Sequence, residues 1–380
     1  MGHVMKALLV IPSVVKTGLE AEVAADRHPT MDYHALATAL QNRDGMTVDI
    51  LDYAAVDRAA SPIVRLARRL GGRDAALAML AFQHRKDYAA IFSNGENVGI
   101  PLALLMSRQA RSTGHVTIGH RLSAGKKQLF FSFLKAHRRL DQIFVYAQSQ
   151  YDWGVDRLRI APEKLALIPF HADDHFYRPM AATVKADQIC SAGLEWRDYP
   201  TLIEAVASMP DLSVKLAAAS PWSKDEDQTA GRALPPNVEA RRYDYHALRA
   251  LYAESSFVVV PLRETDFQAG VTTILEAMAM GKAVIATRTT GQTDVITDGE
   301  NGLTVAPGDV AGWQSAISRL RSDAALRERL GRNARRWVEE NATLDRWAGR
   351  LADAISETAS SQNASGETRD RLPHFESEAG

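Results

Sequence analysis

Gly270 stands between a polar loop and an apolar helical run, and the residues after it could bind an anion through their main chain. In the stretch Phe257–Lys282, FVVVPLRETDFQAGVTTILEAMAMGK, a β-branched strand ends at Pro261, the loop follows, and Gly270 opens a helix. Val271, Thr272 and Thr273 fall in its first turn, where an α-helix leaves N–H groups without intrahelical acceptors. With the helix dipole these amides make a site for phosphate, and the Thr272 and Thr273 hydroxyls add donors without negative charge. Glu276 comes one turn later. Its carboxylate could accept hydrogen bonds from a ribose diol while a diphosphate sits at the helix start, so that one nucleotide spans both groups. A solitary helix glutamate is ordinarily a solvated surface residue; the phosphate-binding turn ahead of it makes this one a candidate.

Other groups carry weaker signals. His120 follows a short strand, Val116–Ile118, and strand-end placement aims it at a cleft, although a lone histidine is more often structural. Lys126 and Lys127 lie nearby as phosphate contacts or solvated charges. His171, Asp173, Asp174 and His175 cluster but lack a recognised ligand spacing, so no metal site is expected. Cys190, the one cysteine, has no partner for an internal disulfide and falls in an apolar strand, where packing is its expected role.

The elements that would position these groups alternate between short aliphatic strands and longer helices, the pattern of parallel sheets covered by helices. Strands are expected at 7–11, 47–52, 90–93, 116–118, 142–146 and 165–168, then at 188–192, 213–218, 257–261 and 283–286. Helices are expected at 198–208, 245–253 and 272–280. PFHADDHFYRPMAA, Pro169–Ala182, interrupts the alternation with two prolines, charges and aromatics. The 380 residues thus divide into an α/β protein of two Rossmann-like domains facing each other across a cleft. The first spans 1–170, a linker 171–182, and the second 183–340. A helix at 341–357 is expected to pack back on the first domain, and the polar 358–380 segment to be a disordered tail.

Composition bounds the function. Hydrophobic residues are 46% and charged residues 24% of the chain, a balance suited to large cores. No run reaches the ~20 apolar residues of a membrane span, and Met1–Pro12 lacks a secretory signal, so a cytoplasmic location is expected. Net charge is −1, yet 15 basic and three acidic residues lie between Arg58 and Arg139, which points to an anionic partner. Within that region Lys126–Leu140, KKQLFFSFLKAHRRL, reads either as a peripheral contact with an anionic membrane or as a core helix with a solvated basic side. Zinc-finger, helix-turn-helix and RNP-like signals are absent from the sequence, and no nucleic acid is expected.

Residues 257–309 resemble the donor-binding region of the retaining family 4 glycosyltransferases, enzymes of the GT-B fold. Glu276 matches their second motif glutamate, EAMAMGKAVIAT the helix, turn and strand around it, and Gly291 with DGENGL, Asp298–Leu303, the next loop. More weakly, PEKLALIPFHADDHFYRP at 162–179 resembles the interdomain segment, with Phe170 and His171 where Asn-Gly is usual. GLEWRDYPTLIEA at 193–205 resembles the first turn and helix of the second domain, and likeness of plan extends to Arg350.

The resemblance implies that Gly270, Val271, Thr272, Thr273 and Glu276 bind the donor, that Arg197 neutralises the leaving diphosphate, and that His120 lies on the acceptor side. Two positions depart from the family. Gln268 stands where a glutamate near the transferred sugar is usual, with Glu264 and Asp266 as possible substitutes. The arginine ordinarily preceding the cation at Arg197 is missing, leaving Arg263, Arg121 or Lys126 as additional phosphate contacts. The implied activity is retaining, metal-independent transfer of a hexose from a nucleotide-diphosphate sugar, UDP-sugar before GDP-sugar, to a hydroxyl acceptor. No cofactor beyond the donor is implied. The alternative is a catalytically impaired nucleotide-sugar-binding protein of the same fold. A nicotinamide-dependent dehydrogenase is disfavoured because the first strand leads into PSVVKTG and not into a glycine fingerprint.

Overall fold

The computed structural model describes residues 5–106, 113–125, 134–218 and 234–370. Lys126, Lys127 and the apolar residues Leu129, Phe130 and Phe133 therefore lie outside the described residues.

In the first domain β1 (Lys6–Val10), α1 (Glu20–Ala24), α2 (Asp32–Asp44), β2 (Thr47–Leu51), α3 (Tyr53–Arg58), α4 (Pro62–His84) and β3 (Ala90–Ser93) come first. After them come α5 (Glu96–Met106), β4 (Gly114–Gly119), β5 (Gln142–Val145), α6 (Gln148–Asp156) and β6 (Leu165–Leu167). The strands are parallel, in the order β2-β1-β3-β4-β5-β6. One face of the sheet packs Leu9, Val116 and Ile118 against Leu36 and Leu40 of α2. The other packs Leu8, Val10 and Ile91 against Val64, Leu77 and Ala81 of α4. Connections leave β1 toward opposite faces, so the crevice at a strand-order reversal opens between β1 and β3.

The second domain holds β7 (Lys185–Ala192), α7 (Tyr199–Ala207), β8 (Ser213–Ala217), β9 (Val238–Ala240), α8 (Tyr245–Glu254) and β10 (Ser255–Val260). It continues through α9 (Val271–Ala279), β11 (Val284–Thr287), β12 (Leu303–Val305), α10 (Val310–Ser322) and α11 (Ala324–Asn341). Its parallel order is β12-β11-β10-β7-β8-β9, with the reversal at β7 and β10. Strands β9 and β12 were not expected from the sequence. Each is three residues long, VEA and LTV, too short for an alternating or continuous apolar signal.

The last helix, α12 (Leu344–Asp370), returns to the first domain. Trp347, Leu351, Ile355 and Ala359 join the core on the α2 face of the first sheet. At Gly114 of β4 a β-carbon would collide with Thr358, so the glycine admits the helix to close contact. The helix therefore corrects the tail expected from 358. It runs 13 residues further, to Asp370, and at the start of that extension Thr358 and Ala359 are still buried against the first domain. Among the described residues no helix is long and apolar enough to cross a membrane.

Two sets of polar contacts tie the domains together. At one side Asp26 accepts from Arg178 and from buried Arg249, whose guanidinium groups hold its carboxyl far below the usual carboxylate range. Beside it, Asp173 accepts from the Thr30 amide at 2.6 Å. At the other side Asp266 meets Arg121 at 2.8 Å and the Ser123 hydroxyl at 2.6 Å, and Asp294 accepts from the Gln148 amide at 2.9 Å.

Candidate active site

A cleft of about 840 Å³ lies between the carboxyl ends of the two sheets. Its second-domain wall comes from the ends of β7 and β10, the reversal point of that sheet. Gly270 adopts φ +73°, left-handed backbone that an L side chain rarely enters, and a β-carbon there would press on Leu262, Val260 and Arg197. With no side chain to cap the helix, the first amides of α9 face the cleft lined by Gly270, Val271, Thr272 and Thr273.

Arg197 lines the same wall, but from beneath it. It is 4% exposed, and its guanidinium donates to Ala192 O at 2.8 Å, Glu195 O at 3.0 Å and Thr273 Oγ1 at 3.1 Å. Gly193, at φ +92°, and Gly270 leave the space it occupies. Burial lowers its pKa from the ordinary guanidinium value, and the charge sits directly under the helix start. The Thr273 hydroxyl is also engaged, accepting from Arg197 and donating to Ala192 O at 3.3 Å. That corrects the expectation of two threonine hydroxyls for phosphate: Thr272 alone of the pair is exposed.

Glu276 is buried on the cleft side of α9 and accepts from the Tyr252 hydroxyl at 3.0 Å. Burial pushes its carboxyl up to about 7. Gln268 lines the cleft with its Nε2 toward Asp294 Oδ2 at 3.4 Å, which orients the amide and leaves the buried Oε1 without a protein partner. A hydroxyl of a bound molecule is the group that would satisfy it. Glu264 and Asp266 do not substitute for it: Glu264 accepts from the Thr290 amide at 2.9 Å, and Asp266 is held by Arg121 and Ser123. Gly291 braces the loop, since its amide donates to Thr265 O at 2.8 Å and a β-carbon on it would overlap the Phe267 main chain.

The proposed additional phosphate contacts fare differently. Arg263 is exposed and outside the cleft lining, because Leu262 points inward against Gly270 and the next residue along the chain points away. Arg121 is spent on Asp266 and stacks over Phe267, 5.1 Å from the ring centre. Lys126 lies outside the described residues.

The first-domain wall carries His120, Tyr146, Phe170, Lys16 and His28. His120 projects from the end of β4; its amide donates at 2.8 Å to Glu96, a carboxylate buried at the start of α5 that also accepts from the Arg121 amide at 3.1 Å. Lys16 and His28 are additions that sequence reading missed. Lys16 is exposed on the loop leaving β1, at the reversal point of the first sheet. His28 bonds Pro29 O through Nδ1 at 2.7 Å and packs edge-on to Tyr245, which leaves Nε2 without a protein partner. The strand order locates both, and the order is not visible in the sequence. His171 packs between Phe170 and Trp347, while Asp173 bonds main-chain amides, so the linker cluster serves the domain junction.

Residues 189–323 match the family model described as Glycosyl transferases group 1. The chain is 28% identical over 201 residues to an exopolysaccharide phosphotransferase of Streptomyces coelicolor, covering 51% of this chain and 21% of that one. It is 27% identical over 255 residues to a D-inositol 3-phosphate glycosyltransferase of Stackebrandtia nassauensis, covering 59% and 57%. The matched stretches thus span 21% and 57% of these relatives, less than two thirds of either. In three dimensions it superposes on Anabaena HepE in complex with UDP, with TM-score 0.68 and 16% identity, covering 93% of this chain and 100% of the other. The family match falls on the wall that holds Gly270 and Glu276 and the superposition spans both sheets, so residues 189–323 are similar to Glycosyl transferases group 1 and the chain has the two-domain GT-B architecture.

Proposed function

We propose that the protein moves a hexose from a nucleoside diphosphate sugar to a hydroxyl acceptor with retention of anomeric configuration. The observation that carries this reading is the convergence on one cleft of the α9 amides, the Glu276 carboxylate and the unsatisfied Gln268 Oε1. The diphosphate takes the helix start, the ribose diol bonds Glu276, and a sugar hydroxyl donates to Gln268. The acceptor oxygen bonds the anomeric carbon on the face from which the diphosphate departs, and its proton passes to the departing phosphate oxygen. Developing negative charge on that phosphate is met by the α9 amides, by buried Arg197 and by Lys16 across the cleft. Those fixed charges support a reaction without a metal ion, and activity should persist in excess EDTA.

A UDP-sugar is the favoured donor; the structural neighbour HepE is described with UDP and with UDP-glucose. The acceptor we favour belongs to cell-envelope or lipid-linked glycan synthesis and is reached from the cytoplasm; the Streptomyces coelicolor relative is named an exopolysaccharide phosphotransferase. A neutral amide at Gln268 favours one alternative, a protein that binds the nucleotide sugar without turning it over, since an amide cannot carry charge toward an oxocarbenium-like centre. A thermal-shift panel of UDP, GDP, ADP and their sugar conjugates separates the bases, and NMR of the product anomer with the stabilising donor tests retention. Stabilisation by NAD alone would overturn the reading, and binding without turnover, unrestored by Gln268→Glu, would establish the alternative.

A further inference from the structure

The first turns of α4 present an apolar stripe to solvent in the most basic part of the chain. Ile63, Leu66 and Leu70 are exposed, Leu70 to 81%, and at 100° per residue they fall within one narrow face of the helix. Val64, on the other side, is buried against Leu77 and Ala81 and anchors this arm to the sheet. The arm ends at Gly71 and Gly72, where Gly72 takes φ +73° and breaks the helical run before Arg73.

Charge surrounds the stripe. Between Arg58 and Arg73 there are five arginines and no acidic residue. Arg68 and Arg73 pair with Asp57 of α3. Arg65 and Arg69 are exposed, and among the described residues their guanidinium groups meet no carboxylate. At 100° per residue Arg69 borders the stripe on the Leu66 side and Arg65 lies further round the helix, and exposed apolar side chains flanked on one side by uncompensated arginines suit an interface between hydrocarbon and anionic headgroups. A second copy of the chain fits less well, because a two-fold interface would set Arg65 and Arg69 against their own copies. Gly71 and Gly72 fold the arm back along the rest of α4: Gln83 Nε2 donates to Ser61 Oγ at 3.0 Å, so the arm starts beside the end of α4 that leads into β3.

We infer that the Pro62–Leu70 arm of α4 is a docking surface for an anionic lipid bilayer, seating Ile63, Leu66 and Leu70 among the acyl chains with Arg65 and Arg69 at the headgroups. The arm differs from the Lys126–Leu140 segment singled out in the sequence; of the described end of that segment, Leu134 is 55% exposed, while Ala136 and Leu140 are buried in the core. Docking here does not rest on the proposed donor chemistry, and its test reads partition, not turnover.

The full chain should float with vesicles of phosphatidylcholine and phosphatidylglycerol at 50 mM salt and stay behind with phosphatidylcholine alone. Each arginine near such a surface contributes about a fivefold factor, so Arg65→Ala/Arg69→Ala should lower the partition coefficient roughly 25-fold. Leu66→Ser/Leu70→Ser should abolish flotation while leaving the thermal midpoint and the nucleotide response unchanged, because both side chains are exposed. Flotation unaltered by either pair, flotation equal on neutral vesicles, or no flotation at low salt would overturn the inference. A dimer in light scattering that Leu66→Ser/Leu70→Ser dissolves would overturn it in favour of a second copy, and salt-sensitive retention on RNA in place of vesicles would overturn it in favour of nucleic acid.

Discussion

The two walls of the cleft are built in opposite ways. On the second-domain wall one continuous stretch, the end of β10, its loop and α9, supplies the helix amides, Gln268 and Glu276, all held in a dense polar frame. Arg197 is locked by three hydrogen bonds beneath it, and Gly291 and Gln292 brace the loop from behind. On the first-domain wall, Lys16, His28 and His120 arrive on separate loops, and Lys16 and His120 remain exposed. A frozen wall suits a ligand part that is always the same, the nucleoside diphosphate; a looser wall suits the part that varies, the acceptor. If so, substitutions on the frozen wall should cost most and should act on binding.

Glu276→Ala offers the largest test. Losing hydrogen bonds from two ribose hydroxyls to a buried carboxylate should weaken donor affinity about 100-fold in calorimetry, and unchanged affinity would break the assignment of this wall to the donor. The same residue makes a pH-dependent prediction. Its carboxyl rises from 4.5 to about 7 on folding, so the stabilisation from holding it protonated is present below pH 4.5 and lost as pH climbs through 7. Glu276→Gln should remove this dependence, gaining on the order of 3 kcal/mol over the parent protein at pH 8 relative to pH 4, read from denaturant midpoints. Donor affinity should move the other way, rising from pH 6 to pH 8 in the parent protein as the acceptor carboxylate ionises, and staying flat in Glu276→Gln.

The difference between the walls also sets what the sequence reveals. The frozen wall is local: Gly270 through Glu276 is seven residues, so helix-terminus physics and one helical turn suffice to read it. Even there burial was invisible. Arg197 and Thr273 have the right types and positions, yet their mutual hydrogen bond and the Ala192 carbonyl commit them to the protein. The other wall depends on strand order. Lys16 and His120 are more than a hundred residues apart, and only the placement of β1 beside β3 and β4 next in line brings their loops to one edge. For the fold, fully buried strands such as Ala90–Ser93 announce themselves, whereas β9, β12 and the α12 turn at Thr358 and Ala359 are stabilised by neighbours that the local composition does not show.

Gln268 lies at the seam between the walls, and a smaller effect is expected there. Gln268→Ala removes the orphaned Oε1 together with the link to Asp294, whose carboxylate also receives the Gln148 amide from the first domain. kcat/KM for the nucleotide sugar should fall about tenfold, the value of one neutral hydrogen bond to the sugar, while affinity for the free nucleoside diphosphate stays within about twofold. An equal loss for the sugar conjugate and the bare diphosphate would move Gln268 from the sugar to the phosphates.

The smallest expected effect, at Lys16, sharpens the comparison most. Lys16 is a solvent-exposed cation on the open wall and lines the same cleft as the α9 start. A charge pair at about 4 Å in a water-like dielectric is worth roughly 1 kcal/mol, so Lys16→Met should raise the donor KM about fivefold with little change in kcat, and the increase should shrink as salt approaches 0.5 M. Free diphosphate should lose affinity by the same factor, since it offers Lys16 the same group. If instead kcat falls while diphosphate affinity holds, Lys16 serves the acceptor, and the open wall does not help bind the leaving group at all.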